Sequence, residues 1–185
     1  MELITATKEM PPGTQPFEFA KPHWYAVYTC ARHEKCVAEQ MGRREIRAFL
    51  PVYRSVRRWK DRRKEIEMAL FPSYVFVRVA LQDRLRVLEI PGVVSIVGAG
   101  SKPEPLADHE IEPFLHGVEG CLKMEPHPFL RVGRRVRLRS GPMAGMEGVL
   151  LRRKNGDGVR LIVSLEILMR AVAVEIDEAD VEACD

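Results

Sequence analysis

No run of the 185 residues approaches the roughly 20 uninterrupted apolar positions that a membrane-spanning helix requires. The first twenty residues hold Glu2, Lys8, Glu9, Glu18 and three prolines, with no apolar signal core. A membrane protein and a secreted one are therefore both unexpected, and the chain is expected in the cytoplasm. Cysteine is scarce: Cys30, Cys36, Cys121 and Cys184 form no C-x-x-C pair, so neither a disulfide framework nor a thiolate metal site is predicted. The histidines at 23, 33, 109, 116 and 127 are scattered, and His33-Glu34 has no second histidine one turn on. G-x-S-x-G and G-x-x-x-x-G-K-[ST] are both missing. Gly98-Ala99-Gly100 runs into Ser-Lys-Pro where a phosphate loop would run into a helix. Glu110 and Glu112 read as first-turn complements to a helix dipole, not as an acid/base dyad. An enzyme is not expected, and no catalytic residue, metal or cofactor is predicted.

Nor does one sign of charge dominate: 29 Lys+Arg face 26 Asp+Glu, a net of +3. The local distribution is far from even. Residues 43–64 carry ten basic side chains against Glu45 and Asp61, with Tyr53 and Trp59 interleaved. Residues 130–160 carry nine basic against two acidic, and 161–185 set seven acids against Arg170 alone. Guarding an edge strand from aggregation needs fewer charges than 43–64 provides. That segment is expected to meet an anionic polymer, with salt-dependent affinity from counterion release. The predicted contacts are Arg57, Arg58, Lys60, Arg62, Arg63 and Lys64, with Trp59 as a stacking face.

With 46% apolar residues the chain can bury a core, and its punctuation divides it. Residues 1–21, with Pro11-Pro12-Gly13 and Pro16, read as a disordered leader. Residues 22–116 mix two periods. Strands are expected at 24–29, 48–52, 73–79 and 93–97, a helix at 33–47, a hairpin pairing 54–59 with 64–68, and a short helix at 83–89 capped by Asp83. That is an α+β fold, a sheet flanked by helices. Residues 117–129, with glycines and Pro126-His127-Pro128, read as a linker. Residues 130–185 hold short apolar runs at 135–138, 148–153, 160–164, 170–174 and 181–183 between glycine turns, the pattern of a small five-stranded β-barrel. Gly133 and Gly148 are expected to bracket its first hairpin, with Gly141-Pro142 as the turn between the strands. A barrel this small suits binding better than catalysis.

Four groups of residues stand in chain order: Trp24-Tyr25-Ala26-Val27; Phe71-Pro72-Ser73-Tyr74-Val75-Phe76-Val77; Pro91-Gly92-Val93 with Val97-Gly98 and Lys102-Pro103; and Val132-Gly133, Val136, Gly141-Pro142 and Gly148-Val149. Together they resemble the motifs of the NusG/RfaH family of transcription elongation factors, an N-terminal domain joined to a KOW barrel. The resemblance spans residues 24–183. It implies that the first domain docks on RNA polymerase, with Tyr28, Phe49, Leu50, Phe71 and Tyr74 gripping the clamp helices and Asp83, Arg84 and Arg86 reaching the gate loop. Bridging both sides of the cleft would suppress pausing, and the basic hairpin would lie beside non-template DNA near the upstream fork. It also implies a barrel loop, Ile167, Leu168, Met169 and Arg170, that recruits ribosomal protein NusE or the factor Rho. That loop lacks the Phe-Gly usual before Arg170, and Ser73 stands where the family usually has glycine. These departures, with the basic hairpin, suggest a specialised, monomeric paralog with antitermination activity. Refolding of the barrel into helices is not expected, because Gly141-Pro142, Gly145, Gly148, Gly156 and Gly158 would each interrupt them. The alternative reading is an RNA-binding or ribosome-associated KOW protein that does not act through polymerase.

Overall fold

The computed structural model describes residues 20–59, 62–100, 102–127, 133, 135–152 and 159–184, with the backbone alone at 56–59, 62–64, 152 and 178. The expected leader, up to residue 19, and the expected contact Lys60 lie outside the described residues.

The N-terminal body is built on a four-stranded antiparallel sheet of β1 (Pro22–Thr29), β2 (Arg47–Phe49), β5 (Tyr74–Ala80) and β6 (Val93–Ile96), ordered β2-β5-β1-β6. Its two central strands bury both faces because each side carries helices. On one face Tyr25, Val27, Val75 and Val77 pack with Val37 and Met41 of α1 (Glu34–Arg43) and Val87 of α2 (Arg84–Leu88). On the other, Trp24, Ala26 and Phe76 pack with Ile111 and Phe114 of α3 (Asp108–Glu119). The period-2 alternation thus sorts adjacent residues into opposite cores. Arg78 pins α3 to the sheet through Asp108 at 3.5 Å and Glu112 at 4.0 Å, while Glu110 accepts from the Ala107 N–H at 3.0 Å. Between β2 and β5 stand β3 (Val52–Trp59) and β4 (Arg62–Ala69), a separate two-stranded ribbon in continuous antiparallel register. A minor hairpin joins β7 (Gly98–Ala99) to β8 (Lys102–Pro103).

Three expectations need correction here. The helix predicted over 33–47 stops at Arg43, because Glu45 takes φ +59° and the Ile46 N–H returns to the Met41 carbonyl. This Schellman closure lets Ile46 pack beside Met41. Asp83 stands at the start of α2 after a 3₁₀ turn, but its carboxylate makes no capping bond. The linker expected over 117–129 instead ends α3 and forms a strand, β9 (Met124–His127).

β9 joins the C-terminal body, a six-stranded antiparallel sheet ordered β14-β10-β11-β12-β13-β9. Its other members are β10 (Arg135–Leu138), β11 (Glu147–Arg152), β12 (Val159–Leu165), β13 (Arg170–Ile176) and β14 (Val181–Ala183). All five expected strands are present. Among the described residues, however, no ladder joins β14 to β9, so the sheet is open where a closed barrel was expected. Pro126 is compatible with β9 because the Glu175 N–H donates to the Lys123 carbonyl, which sets the ladder's phase. Three residues on, an odd step in a ladder of period two, Pro126 lies where a backbone N–H would point away from β13. Arg160, 19% exposed, ties the new strand down by bonding Glu125 at 3.2 Å and Glu175 at 3.1 Å. Lys123 adds a 3.1 Å pair to Glu175. Across β10 and β11, Arg137 hydrogen-bonds Glu147 and, with its charge, holds that carboxyl below the usual carboxylate range.

The two bodies meet along α3. A Cβ on Gly117 would stand 3.2 Å from the Met143 sulfur, and one on Gly120 would stand 2.6 Å from Pro142 Cγ. Side-chain-free positions at the end of α3 therefore admit the 141–146 turn, and buried residues of both bodies form one continuous cluster. Among the described residues, no helix is long and apolar enough to cross a membrane.

Candidate functional site

Aromatic side chains concentrate where β1 ends and β5 begins. The register sets Tyr28 opposite Tyr74, and their rings lie 5.5 Å apart, tilted at 48°. Tyr28 is 41% exposed and Tyr74 half-buried. Phe49, at the end of β2, is opposite Phe76, with centroids 6.2 Å apart, and is also half-buried. These three residues form an apolar shelf on the α3 side of the sheet.

Phe71 does not join that surface. At 1% exposure it meets Phe76 edge-on at 5.4 Å and Phe114 of α3 edge-on at 5.5 Å, the arrangement aromatic quadrupoles favour. It supports the shelf from beneath. Leu50 is half-buried but packs with the cluster on the opposite, α1 side of the sheet. The structure therefore brings Tyr28, Phe49 and Tyr74 together and separates Phe71 and Leu50 from them.

The second expected contact lies on the α1 side, at the 3₁₀ turn Leu81–Asp83 and α2. Arg84 and Arg86 are exposed and Asp83 half-buried. Arg84 donates to the Leu81 carbonyl at 3.3 Å. Arg86 donates to the Arg44 carbonyl at 2.8 Å, and Arg44 returns a bond to the Arg86 carbonyl at 3.3 Å. Each guanidinium thereby satisfies a carbonyl at the other helix's end. Leu85 between them is an apolar side chain 60% exposed.

On the C-terminal body the expected loop is the 3₁₀ turn Glu166–Leu168 followed by Met169. Leu168 is buried and anchors the turn, and Ile167 is half-buried. Met169 takes the left-handed conformation at φ +50° and is 55% exposed, with exposed Arg170 opening β13. The surface of this loop is thus Met169 and Arg170, with Ile167 partly available.

For the basic ribbon, the register pairs Arg57 with Lys64, Arg58 with Arg63 and Trp59 with Arg62. Two consecutive pairs of like charge directly opposite each other cost stability in an isolated ribbon. The structure gathers no three His, Cys, Asp or Glu side chains into a metal-binding cluster among the described residues.

The family model described as "Transcription termination factor nusG" matches residues 22–115. The transcription termination/antitermination protein NusG of Lactococcus lactis subsp. lactis is 31% identical, over 86% of this chain and 91% of its own length. That of Vibrio vulnificus is 29% identical, over 91% and 99%. A solved structure titled "Domain interaction in Thermotoga maritima NusG" shares the fold with a TM-score of 0.60 at 24% identity, covering 90% of this chain and 99% of that one.

Proposed function

The chain belongs to the NusG family of non-catalytic transcription elongation and antitermination factors that bind RNA polymerase, and from that membership we propose how its surfaces divide the work. The shelf of Tyr28, Phe49 and Tyr74 grips the polymerase clamp helices, with Phe71 as its buried support, while Leu50 packs on the opposite side of the sheet and takes no part. Asp83, Arg84 and Arg86, on the opposite side of the sheet, reach the gate loop. A rigid sheet between the two contacts would hold the clamp closed and favour the elongating state, a population shift that needs no chemistry. The ribbon lies along nucleic acid at the upstream fork. Ile167, Met169 and Arg170 offer a small apolar and cationic tip to a second partner, NusE or Rho, and the missing Phe-Gly favours a specialised antitermination paralog over a general factor.

The observation that carries this reading is the exposure of Tyr28 beside Tyr74 on a face otherwise sealed by α3. Tyr28→Ala and Tyr74→Ala are expected to lower retention on core RNA polymerase at least tenfold, about 1.4 kcal/mol or more, with little change in thermal stability. Phe71→Ala is the wrong probe, because emptying that buried site costs about 3–5 kcal/mol of fold stability. Undiminished retention by both tyrosine variants would remove the clamp assignment. Retention on RNA alone, indifferent to both, would favour the ribosome-associated alternative.

A further inference from the structure

A groove of about 530 Å³ separates the base of the ribbon from the start of β9. One wall is Val52, Tyr53 and Arg54 of β3; the other is Lys123 with Met124 and Glu125 of β9. Successive side chains of a strand point to opposite faces, so three consecutive residues reach one groove only along the strand's edge. Both edges are unpaired among the described residues: β3 forms a ladder with β4 alone, and β9 with β13 alone.

The ladders also fix which backbone groups face the groove. The Leu70 N–H donates to the Pro51 carbonyl, so Val52 and Arg54 turn their N–H and C=O groups away from β4. The Glu175 N–H donates to the Lys123 carbonyl, so Met124 turns its own pair away from β13. Among the described residues no group bonds these three N–H donors. Met124 is only 6% exposed, so water does little to replace the missing acceptor. Half-buried Tyr53, Val118 and Leu122 give the groove an apolar floor on the core shared by the two bodies. On its rim, Glu67 is held by Lys35 at 3.3 Å, Glu125 by Arg160 at 3.2 Å and Lys123 by Glu175 at 3.1 Å. Arg54 is exposed and has no ion pair among the described residues, which leaves the groove one uncompensated positive charge.

We propose that this groove takes an extended peptide of a partner protein by strand addition. One apolar side chain of the peptide enters between Tyr53, Val118 and Leu122, and one carboxylate meets Arg54. Main-chain bonds to Val52, Arg54 and Met124 supply affinity, and the two side-chain positions supply selectivity. An unpaired edge is a template for another chain, and here two of them face one slot. The residues involved are distinct from those of the aromatic shelf, the α2 contact and the 166–170 loop, so the proposal stands independently of the roles given to those surfaces.

The test is selection from a displayed library of random peptides of about ten residues against the full-length protein. Enriched sequences are expected to combine an acid with apolar residues at alternate positions. A selected peptide, once synthesised, is expected to slow hydrogen exchange at the Val52, Arg54 and Met124 amides, read by NMR. Methylating its central backbone nitrogens is expected to weaken binding about tenfold. Arg54→Gln, with an unchanged thermal melt, is expected to weaken it about two- to fivefold, and Arg54→Glu to turn the selection toward basic peptides. No enriched sequence, or protection elsewhere on the molecule, would overturn the site. Indifference to the backbone methyl groups would overturn strand addition, and indifference to Arg54→Gln would overturn the carboxylate contact. Tighter binding by a synthetic peptide of residues 1–19 would assign the groove to the chain itself. Self-association that Arg54→Gln abolishes would assign it to a second copy, and either result would overturn the partner peptide.

Discussion

Ser73 shows how one residue can hold a turn against its own backbone preference. It holds φ +67°, a left-handed conformation that glycine adopts freely and serine does not. The turn keeps its shape because the Ser73 N–H donates to the Glu34 carboxylate at 2.7 Å, tying the start of β5 to the first turn of α1. The left-handed backbone costs serine about 1–2 kcal/mol. Glycine would relieve that and surrender roughly 0.4–1 kcal/mol through a more disordered unfolded chain. Ser73→Gly is therefore expected to stabilise by up to about 1.6 kcal/mol and to raise Tm by up to about 6 °C in calorimetry. A fall in Tm would mean that the hydroxyl makes a contribution larger than the strain. Met169 obeys the same conformational rule at the loop tip, where the strain keeps a flexible thioether presented to solvent.

At the scale of elements, Gly148 changes the account of why the C-terminal sheet needs its glycines. It lies inside β11, not at a turn, and a Cβ there would stand 2.5 Å from the Ile162 carbonyl oxygen and 3.0 Å from Leu161. Close strand approach, not turn geometry, requires it. Gly148→Ala is expected to destabilise by about 1–3 kcal/mol, read as a lower denaturant midpoint at constant m-value. Unchanged stability would show that β11 and β12 can separate at no cost. Strand positions were otherwise legible, since alternating valine, leucine and aromatic runs report burial directly. The helix ends were not. α1 and α3 both close in a Schellman turn whose left-handed residue is not glycine, Glu45 in one and Cys121 in the other, so the usual stop signal is missing. β9 was hidden for a related reason: Pro126 reads as a breaker until the ladder's phase shows that its nitrogen faces outward. Among candidate site residues, neither the exposure of Tyr28 and Met169 nor the burial of Phe71 and Leu168 was legible, because a side chain at an element's end looks the same whether a helix covers it or solvent does.

For the whole molecule, the seam between the bodies depends on two glycines at the end of α3. Gly120 has an ordinary φ of −77°, so a larger residue meets no left-handed strain and acts chiefly by pushing Pro142 away, its Cβ also standing 3.1 Å from the His116 carbonyl oxygen. Gly120→Val is expected to part the bodies while leaving each sheet folded, seen as a larger radius of gyration in solution scattering with unchanged circular dichroism. An unaltered radius would mean that the cluster shared by both bodies holds without this contact. The pairing of β9 with β13 also carries a consequence for synthesis. All four strands of the N-terminal sheet are complete by Ile96, whereas His127 of β9 must wait for Ala171, 44 residues later. At ordinary translation rates that is about 2–9 s during which a finished N-terminal body trails a strand without its partner. The nascent chain thus passes through an interval when the strands of its first sheet are all present and those of its second are still being made.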